Sequence, residues 1–219
     1  KLLAFCNKTS LPIVTQGGMT GLSGGSTPKG SEIVLSLELL SGITDVDVES
    51  MTITALAGTP LEQLQQAAND VGFYLPLDLG ARGSCTIGGN VATNAGGNQV
   101  LSYGMTRTLV LGLEAVTAEG TVIRSMNKML KNNAGYDLKQ LFVGSEGTLG
   151  VVTEVVLRLY PKPLTKQSAL CGFSSFSQVV SFLQYMQRNC SRVTTFELMW
   201  DNYVKKVRQM NQQLKPVLT

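Results

Sequence analysis

Residues 76–97 read PLDLGARGSCTIGGNVATNAGG, a density of glycine that few folds can place. Gly80, Gly83, Gly88, Gly89, Gly96 and Gly97 are separated largely by small or short polar residues, among them Ser84, Cys85, Thr86, Asn90, Thr93 and Ala95. Side chains this small are expected to build no core. Glycine lets the backbone reach positive φ and lets another group approach its N–H, while Ser, Thr and Asn add short donors at the same place. The stretch therefore predicts a loop that wraps a large polar ligand.

The rest of the chain narrows what that ligand can be. With 219 residues it can bury a real core and hold one large domain, or a domain and part of another. A net charge of +3, with no basic stripe and no interleaved aromatics, speaks against nucleic acid. No apolar run approaches the roughly 18–20 residues that span a bilayer. The start at Lys1 shows no signal-peptide pattern, so a piece of a longer soluble protein is expected. Cys6, Cys85, Cys171 and Cys190 form no C-x-x-C pair, which predicts reduced thiols in an intracellular compartment. There is no histidine, so the commonest general base and metal ligand are both missing.

A second glycine cluster, QGGMTGLSGG at 16–25, follows a short strand predicted at 11–15. It fits neither the dinucleotide G-x-G-x-x-G nor the P-loop spacing. Residues 21–25 do match the G-x-S-x-G of hydrolases, but no histidine exists to activate Ser23. What remains is a strand followed by free N–H groups, a nest suited to a pyrophosphate. A third cluster, GSEGTLG from Gly144, places Glu146 between glycines just ahead of a strand marked by Thr153, Val155, Leu157 and Leu159.

Between the clusters, alternation predicts strands at 33–39 and 51–55, with a hairpin break at Glu49 and Ser50. Thr59, Pro60 and Glu62 read as a capping box opening a helix with Leu61, Leu64, Ala68 and Val71 on one face, ended by Gly72. A hairpin is predicted around Glu119 and Gly120, and a short helix from Asp137. Pro161 and Pro163 mark a boundary. Beyond it come a strand at 169–173, a helix at 177–188 with Val179, Val180, Leu183 and Met186 inward, a strand at 194–200, and a helix from Asp201 into Pro216. Arg82, Arg107 and Lys131 read as solvated surface, and Tyr103 and Tyr136 as packing.

The three clusters QGGMTGLSGG, PLDLGARGSCTIGGNVATNAGG and LFVGSEGTLGVVTEV, in this order and at these separations, resemble the PCMH-type FAD-binding domain of the vanillyl-alcohol oxidase and p-cresol methylhydroxylase superfamily. Within it, PLDLGA, GGNVATNAGG and NAGYDLKQLFVGSEGTLG are most similar to FAD-linked D-2-hydroxy-acid dehydrogenases of the D-2-hydroxyglutarate dehydrogenase-like group. The resemblance implies an α+β fold: a two-subdomain PCMH-type FAD-binding domain over 1–162, split at about 57, then the start of an α/β cap domain over 163–219.

It also implies site residues. Gln16, Gly17, Gly18, Met19, Thr20 and Gly21 would hold the pyrophosphate through backbone N–H groups. Ser84, Thr86, Gly88, Gly89, Asn90, Thr93, Ala95, Gly96 and Gly97 would continue the cradle toward the flavin ring. Pro76 and Asp78 would shape its entry, and Glu146, Gly150, Val151 and Val152 would pack near the adenine end. Some members tether the flavin to a histidine after the first glycine pair; Met19 stands there, so non-covalent FAD is expected.

In the group resembled, substrate carboxylate, divalent metal and histidine base sit mainly on the cap domain and the segment after it, so no catalytic or metal residue is assigned here. The implied reaction oxidises a small D-2-hydroxy acid to the 2-oxo acid and passes electrons to an electron-transfer flavoprotein or a quinone. The implied location is the cytoplasm, or the mitochondrial matrix in a eukaryote. Alternatives are D-lactate or glycolate dehydrogenase, another oxidoreductase of the same fold, or a non-catalytic flavin-binding module.

Overall fold

The alternating apolar residues after the third glycine cluster do form the strand on which the sheet is centred. In the computed structural model, which describes residues 1–190 and 192–211, helix α1 (Leu2–Lys8) leads into two short parallel strands, β1 (Ile13–Gln16) and β2 (Ile33–Ser36). β1 begins later than predicted because the Leu11 N–H closes α1 by donating to the Cys6 carbonyl at 2.8 Å. β2 also ends early: the chain turns at Leu37, whose carbonyl accepts from Leu40 N–H, and Leu39 is left exposed.

Strands β3 (Ile43–Asp47) and β4 (Thr52–Leu56) form the expected hairpin, its turn held by Ser50 N–H and hydroxyl on the Asp47 carboxylate at 2.9 and 2.7 Å. Helix α2 (Leu61–Asp70) follows, with Leu61, Leu64 and Ala68 buried, and Gly72 past its end at φ +81°. Val71 lies outside the helix and exposed. Thr59 is not its cap. That residue is fully buried, and its hydroxyl is taken by the Leu56 carbonyl at 2.7 Å and by the backbone of Gly42. The free N–H groups of the first helical turn are met instead by the glycine-rich stretch, Leu61 donating to Cys85 O and Glu62 to Arg82 O, both at 3.0 Å.

After β5 (Phe73–Tyr74), the 76–97 stretch departs from the predicted loop. It contains helix α3 (Ile87–Ala92), whose Ile87 and Val91, one helical turn apart, are fully buried. Short helices α4 (Val100–Tyr103) and α5 (Thr106–Leu109) lead to β6 (Val110–Val116), which turns at Gly120, φ +86°, into β7 (Val122–Ser125) as predicted. Helix α6 (Lys139–Phe142) precedes β8 (Val151–Arg158), and β9 (Tyr160–Pro161) pairs with β5. Pro161 thus sits in a two-residue edge strand, where its missing N–H is tolerated.

Five strands form one antiparallel sheet in the order β3-β4-β8-β6-β7, so strands from both sides of residue 57 share it. One face carries Ile53, Ala55, Leu113, Val155 and Leu157 against Leu61, Leu64, Ile87 and Val91. Each fully buried Leu or Ile there contributes about 1.5–3 kcal/mol. On the outer face Arg124 pairs with Glu114 and, at 3.1 Å, with Glu154, while Thr153 donates to Glu114 at 2.7 Å.

Beyond β9 the predicted strands at 169–173 and 194–200 do not form; both segments are irregular and find no strand partner among the described residues. Aromatic contacts gather them instead: Phe182 lies 5.2 Å from Phe173 and 6.2 Å from Phe196, and Phe176 stacks on Trp200 at 5.9 Å between ring centroids. Helix α7 (Phe176–Asn189) forms with Ser175 accepting from Gln178 N–H, burying Val179 but leaving Val180 exposed. Helix α8 (Asp201–Met210) starts as predicted; Pro216 lies outside the described residues. Among the described residues no helix is long and apolar enough to cross a membrane.

Candidate functional site

The three glycine clusters meet around one cleft of about 380 Å³, within the usual range for small-molecule sites. They meet because side chains are missing where backbones touch. A Cβ on Gly17 would collide with the Thr86 hydroxyl, and one on Gly18 with the Ser84 carbonyl. A Cβ on Gly88 would lie 2.6 Å from that of Ala57. The first loop is closed at its base by the Gln16 amide, which donates to the Ser26 carbonyl at 2.8 Å.

The third cluster is docked on the end of α3. Gly144 N–H donates to Val91 O at 3.0 Å and Glu146 N–H to Ala92 O at 2.8 Å. This turn needs three residues at positive φ, Gly144, Glu146 and Gly147, of which only Glu146 is strained. Arg107 holds the same turn. Its guanidinium donates to the Gln140 carbonyl and side chain, each at 2.8 Å, and to the Val143 carbonyl, while its own N–H donates to Asn94 Oδ1 at 2.9 Å. Arg107 is exposed, as expected, and also braces the second cluster against the third.

The chemistry of the cleft is neutral and donor-rich. No Lys or Arg lines it, and Glu146 is its one charged residue. The N–H groups of Gly18, Met19, Thr20 and Gly21 form no hydrogen bond among the described residues. The Thr86 hydroxyl is buried and has no partner there either. Leu37, Leu79 and Val152 give the cleft an apolar wall. Cys85 also lines it, donating to Asn90 Oδ1 at 3.7 Å, and burial pushes its thiol pKa up, so it stays a neutral thiol. Such a site suits an elongated ligand with both a diphosphate and a flat apolar part.

Most sequence-predicted site residues come together here. Gly17 to Gly21 form one rim; Thr86, Gly88, Gly89, Asn90, Thr93 and Ala95 form the floor; Glu146, Gly150 and Val152 close the far side. Seven others stand outside the lining. Gln16 closes the first loop, Pro76 is buried away from the cleft lining, and Asp78 pairs with Arg82 at 2.7 Å. Ser84 is exposed, its carbonyl against Gly18. Gly96 packs near Met105, Gly97 against the Asp78 backbone, and Val151 is buried opposite Val116. Sequence reasoning missed Thr15, Ser23, Ser26 and the apolar pair Leu37 and Leu79 as lining residues. The serines lay inside a quoted cluster, but nothing in a strand-like alternation marks Leu37 for a cleft. Among the described residues no group of His, Cys, Asp or Glu could hold a metal ion.

Residues 1–125 match the family described as FAD binding domain. The mitochondrial D-2-hydroxyglutarate dehydrogenase of Bos taurus is 46% identical over 208 residues, covering 94% of this chain and 38% of that protein. Its Danio rerio counterpart is 48% identical over 184 residues, covering 84% of this chain and 34% of that protein. The chain thus spans well under half the length of these relatives. A solved alkyldihydroxyacetonephosphate synthase superposes with a TM-score of 0.72 at 24% identity, over 89% of this chain and 36% of that one, which shows the shared fold.

Proposed function

Because the chain belongs to the FAD binding domain family, we propose that it is the FAD-holding part of a dehydrogenase that oxidises a D-2-hydroxy acid, of the D-2-hydroxyglutarate type, to the 2-oxo acid. One observation carries the reading: three glycine clusters converge on a cleft in which the N–H groups of Gly18 to Gly21 form no hydrogen bond among the described residues and whose walls bear no cation. The residues present fit FAD. The partnerless Thr86 hydroxyl and the close-packed Gly17 and Gly18 are features a polar ligand would complete. A diphosphate held by neutral N–H groups needs no dedicated metal.

Gly18 to Gly21 would hold the diphosphate, Gly89, Asn90, Thr93 and Ala95 would line the path to the flavin ring, and Glu146, Gly150 and Val152 would flank the adenosine end. When bound, FAD supplies the two-electron acceptor for the alcohol oxidation. Met19 stands at the tethering position and the chain has no histidine, so the cofactor is held without a covalent bond. Residues 1–162 would be the cofactor-binding unit and 163–219 the start of the cap. The catalytic base and a divalent metal site belong to segments of the longer protein that this chain does not include. An electron-transfer flavoprotein or a quinone is the proposed acceptor. The cytoplasm is the proposed location, or the mitochondrial matrix in a eukaryote, a reading supported by the mitochondrial names of the vertebrate relatives.

A thermal melt with and without FAD, read beside an absorption spectrum, tests this. FAD at 100 times its dissociation constant should add about 2.7 kcal/mol to the folded state. Acid precipitation should then release all the yellow colour. A melt unmoved by FAD in both this chain and the longer protein refutes the reading, and colour retained in the precipitate refutes the non-covalent attachment.

A further inference from the structure

Among the described residues, a single hydrogen bond joins 163–210 to 1–162, from the Lys166 ammonium to the Tyr74 hydroxyl at 3.1 Å. The same ammonium lies 4.5 Å from the centroid of the Tyr74 ring, so it meets the oxygen and the electron-rich face together. Between 163 and 173 no other group is hydrogen-bonded among the described residues. Tyr74 itself is held from several sides. Its hydroxyl also accepts from the side-chain amide of Gln99, a residue only 8% exposed. Its ring meets that of the buried Tyr103 edge-on at 6.2 Å, and Tyr103 meets Tyr160 at 4.9 Å. Tyr160 stands directly opposite Tyr74 in the β5–β9 pair, with the Arg158 guanidinium 4.5 Å from its ring centroid.

The stretch that anchors Tyr74 also borders the start of the following unit. Asn98, next to Gln99, faces Leu198, Met199, Trp200 and Tyr203 across a shallow groove, and no hydrogen bond crosses it among the described residues. Apolar contact is non-directional, so the groove brings the two sides together without fixing their angle. We propose that Lys166 is a latch: its capture by Tyr74 sets the angle at which 174–210 is carried on 1–162, and its release lets that angle change. Lys166 is thus a positioning residue for the proposed cap, and the inference stands apart from the FAD reading.

The test is a distance distribution between two spin labels in this chain. One label sits on the exposed Cys190 at the end of α7, with Cys171→Ser removing the other exposed thiol, and the second on Glu119→Cys in the exposed β6–β7 turn. With Lys166 present the distribution should be narrow. Lys166→Met keeps an apolar stem and removes the charge, and should raise the released population about fivefold relative to the latched one. Lys166→Arg should restore the narrow distribution, because a guanidinium also stacks on an aromatic face. Tyr74→Leu should match Lys166→Met, and the double variant should go no further than either single one; Tyr74→Phe, which removes only the hydroxyl, replaces Tyr74→Leu should the latter not fold. Lys162→Met is the control, since that ammonium forms no hydrogen bond among the described residues and its loss should leave the distribution unchanged. A broad distribution with Lys166 present, no change in Lys166→Met, equal broadening in Lys162→Met, or additive broadening in the double variant overturns the latch.

Discussion

Gly88 and Gly21 both line the cleft, yet alanine at the two positions should act in opposite ways. A methyl on Gly88 would sit 2.6 Å from Ala57 Cβ and 2.9 Å from Ala57 O, where carbon atoms pack best at about 3.5–4.0 Å. Relief requires α3 to back away by about 1 Å on that scale, and the Ala57 carbonyl is also the acceptor of Gly88 N–H at 2.7 Å. Overpacking costs about 1–3 kcal/mol and the lost hydrogen bond about 1 kcal/mol. Replacing a helical glycine returns about 1 kcal/mol. The net loss of about 1–3 kcal/mol lowers the thermal midpoint by roughly 2–4 °C per kcal/mol for a chain of this size. At Gly21 nothing lies within 4 Å of the added methyl, and φ is not in the left-handed region. Gly21→Ala should therefore gain about 0.4–1 kcal/mol by restricting the unfolded chain, while FAD affinity falls because the methyl projects into the cleft. Differential scanning fluorimetry with and without FAD reads both. Ala57→Gly in the Gly88→Ala background should recover part of the loss. A Gly88→Ala midpoint equal to wild type, or no recovery in the double variant, refutes the packing argument.

Arg107→Ala should lower the urea midpoint by the equivalent of about 1–2 kcal/mol and weaken FAD, and Arg107→Lys should rescue only in part, since an ammonium cannot span the carbonyls of Gln140 and Val143. Native thiol titration should show two fast groups, the exposed Cys171 and Cys190, and two slow ones, the buried Cys6 and Cys85; fast reaction at Cys85 would contradict its placement. Hydrogen bonds from Lys128 and then Ser50 hold the Asp47 carboxyl well below its ordinary 3.8. A carboxyl lowered by folding stabilises above its unfolded value, and the contribution fades as pH drops through the folded one. Asp47→Asn should thus be less stable than wild type at neutral pH, with the gap closing below 3.8 in a pH series of urea midpoints. A gap that stays constant with pH would refute the assignment.

Local patterns with a single physical cause were legible in the sequence. The Glu119–Gly120 turn read correctly because an antiparallel hairpin leaves a turn signal between two apolar runs, and β8 because Val155 and Leu157 stand on the core face, although its neighbours Val151, Val152 and Val156 are buried too. Long-range acceptors were not legible. Thr59 has the spelling of a helix cap, but Gly42, seventeen residues earlier, captures its hydroxyl. Ile87 and Val91 were hidden by the small residues around them, although their i, i+4 spacing was a helical signal. The segments at 169–173 and 194–200 have strand composition, but composition supplies no neighbour to pair with. For the site, the clusters were visible while the division of labour among glycines was not. Gly88 faces Ala57 as well as the cleft, and Gly97 faces the Asp78 backbone alone, because a missing Cβ serves a ligand and a second chain segment equally well.

Strand β8 is hydrogen-bonded along both edges, and Gly150, directly before it, lines the cleft together with Val152. The two walls of the cleft must then differ in how they exchange amide protons with solvent. Val155 and Leu157 at the sheet centre should exchange only through global unfolding, whereas the N–H groups of Gly18 to Gly21 are unprotected in the empty protein. Ligand arrival would be recorded almost wholly in the first loop, as new protection facing a wall that was already rigid.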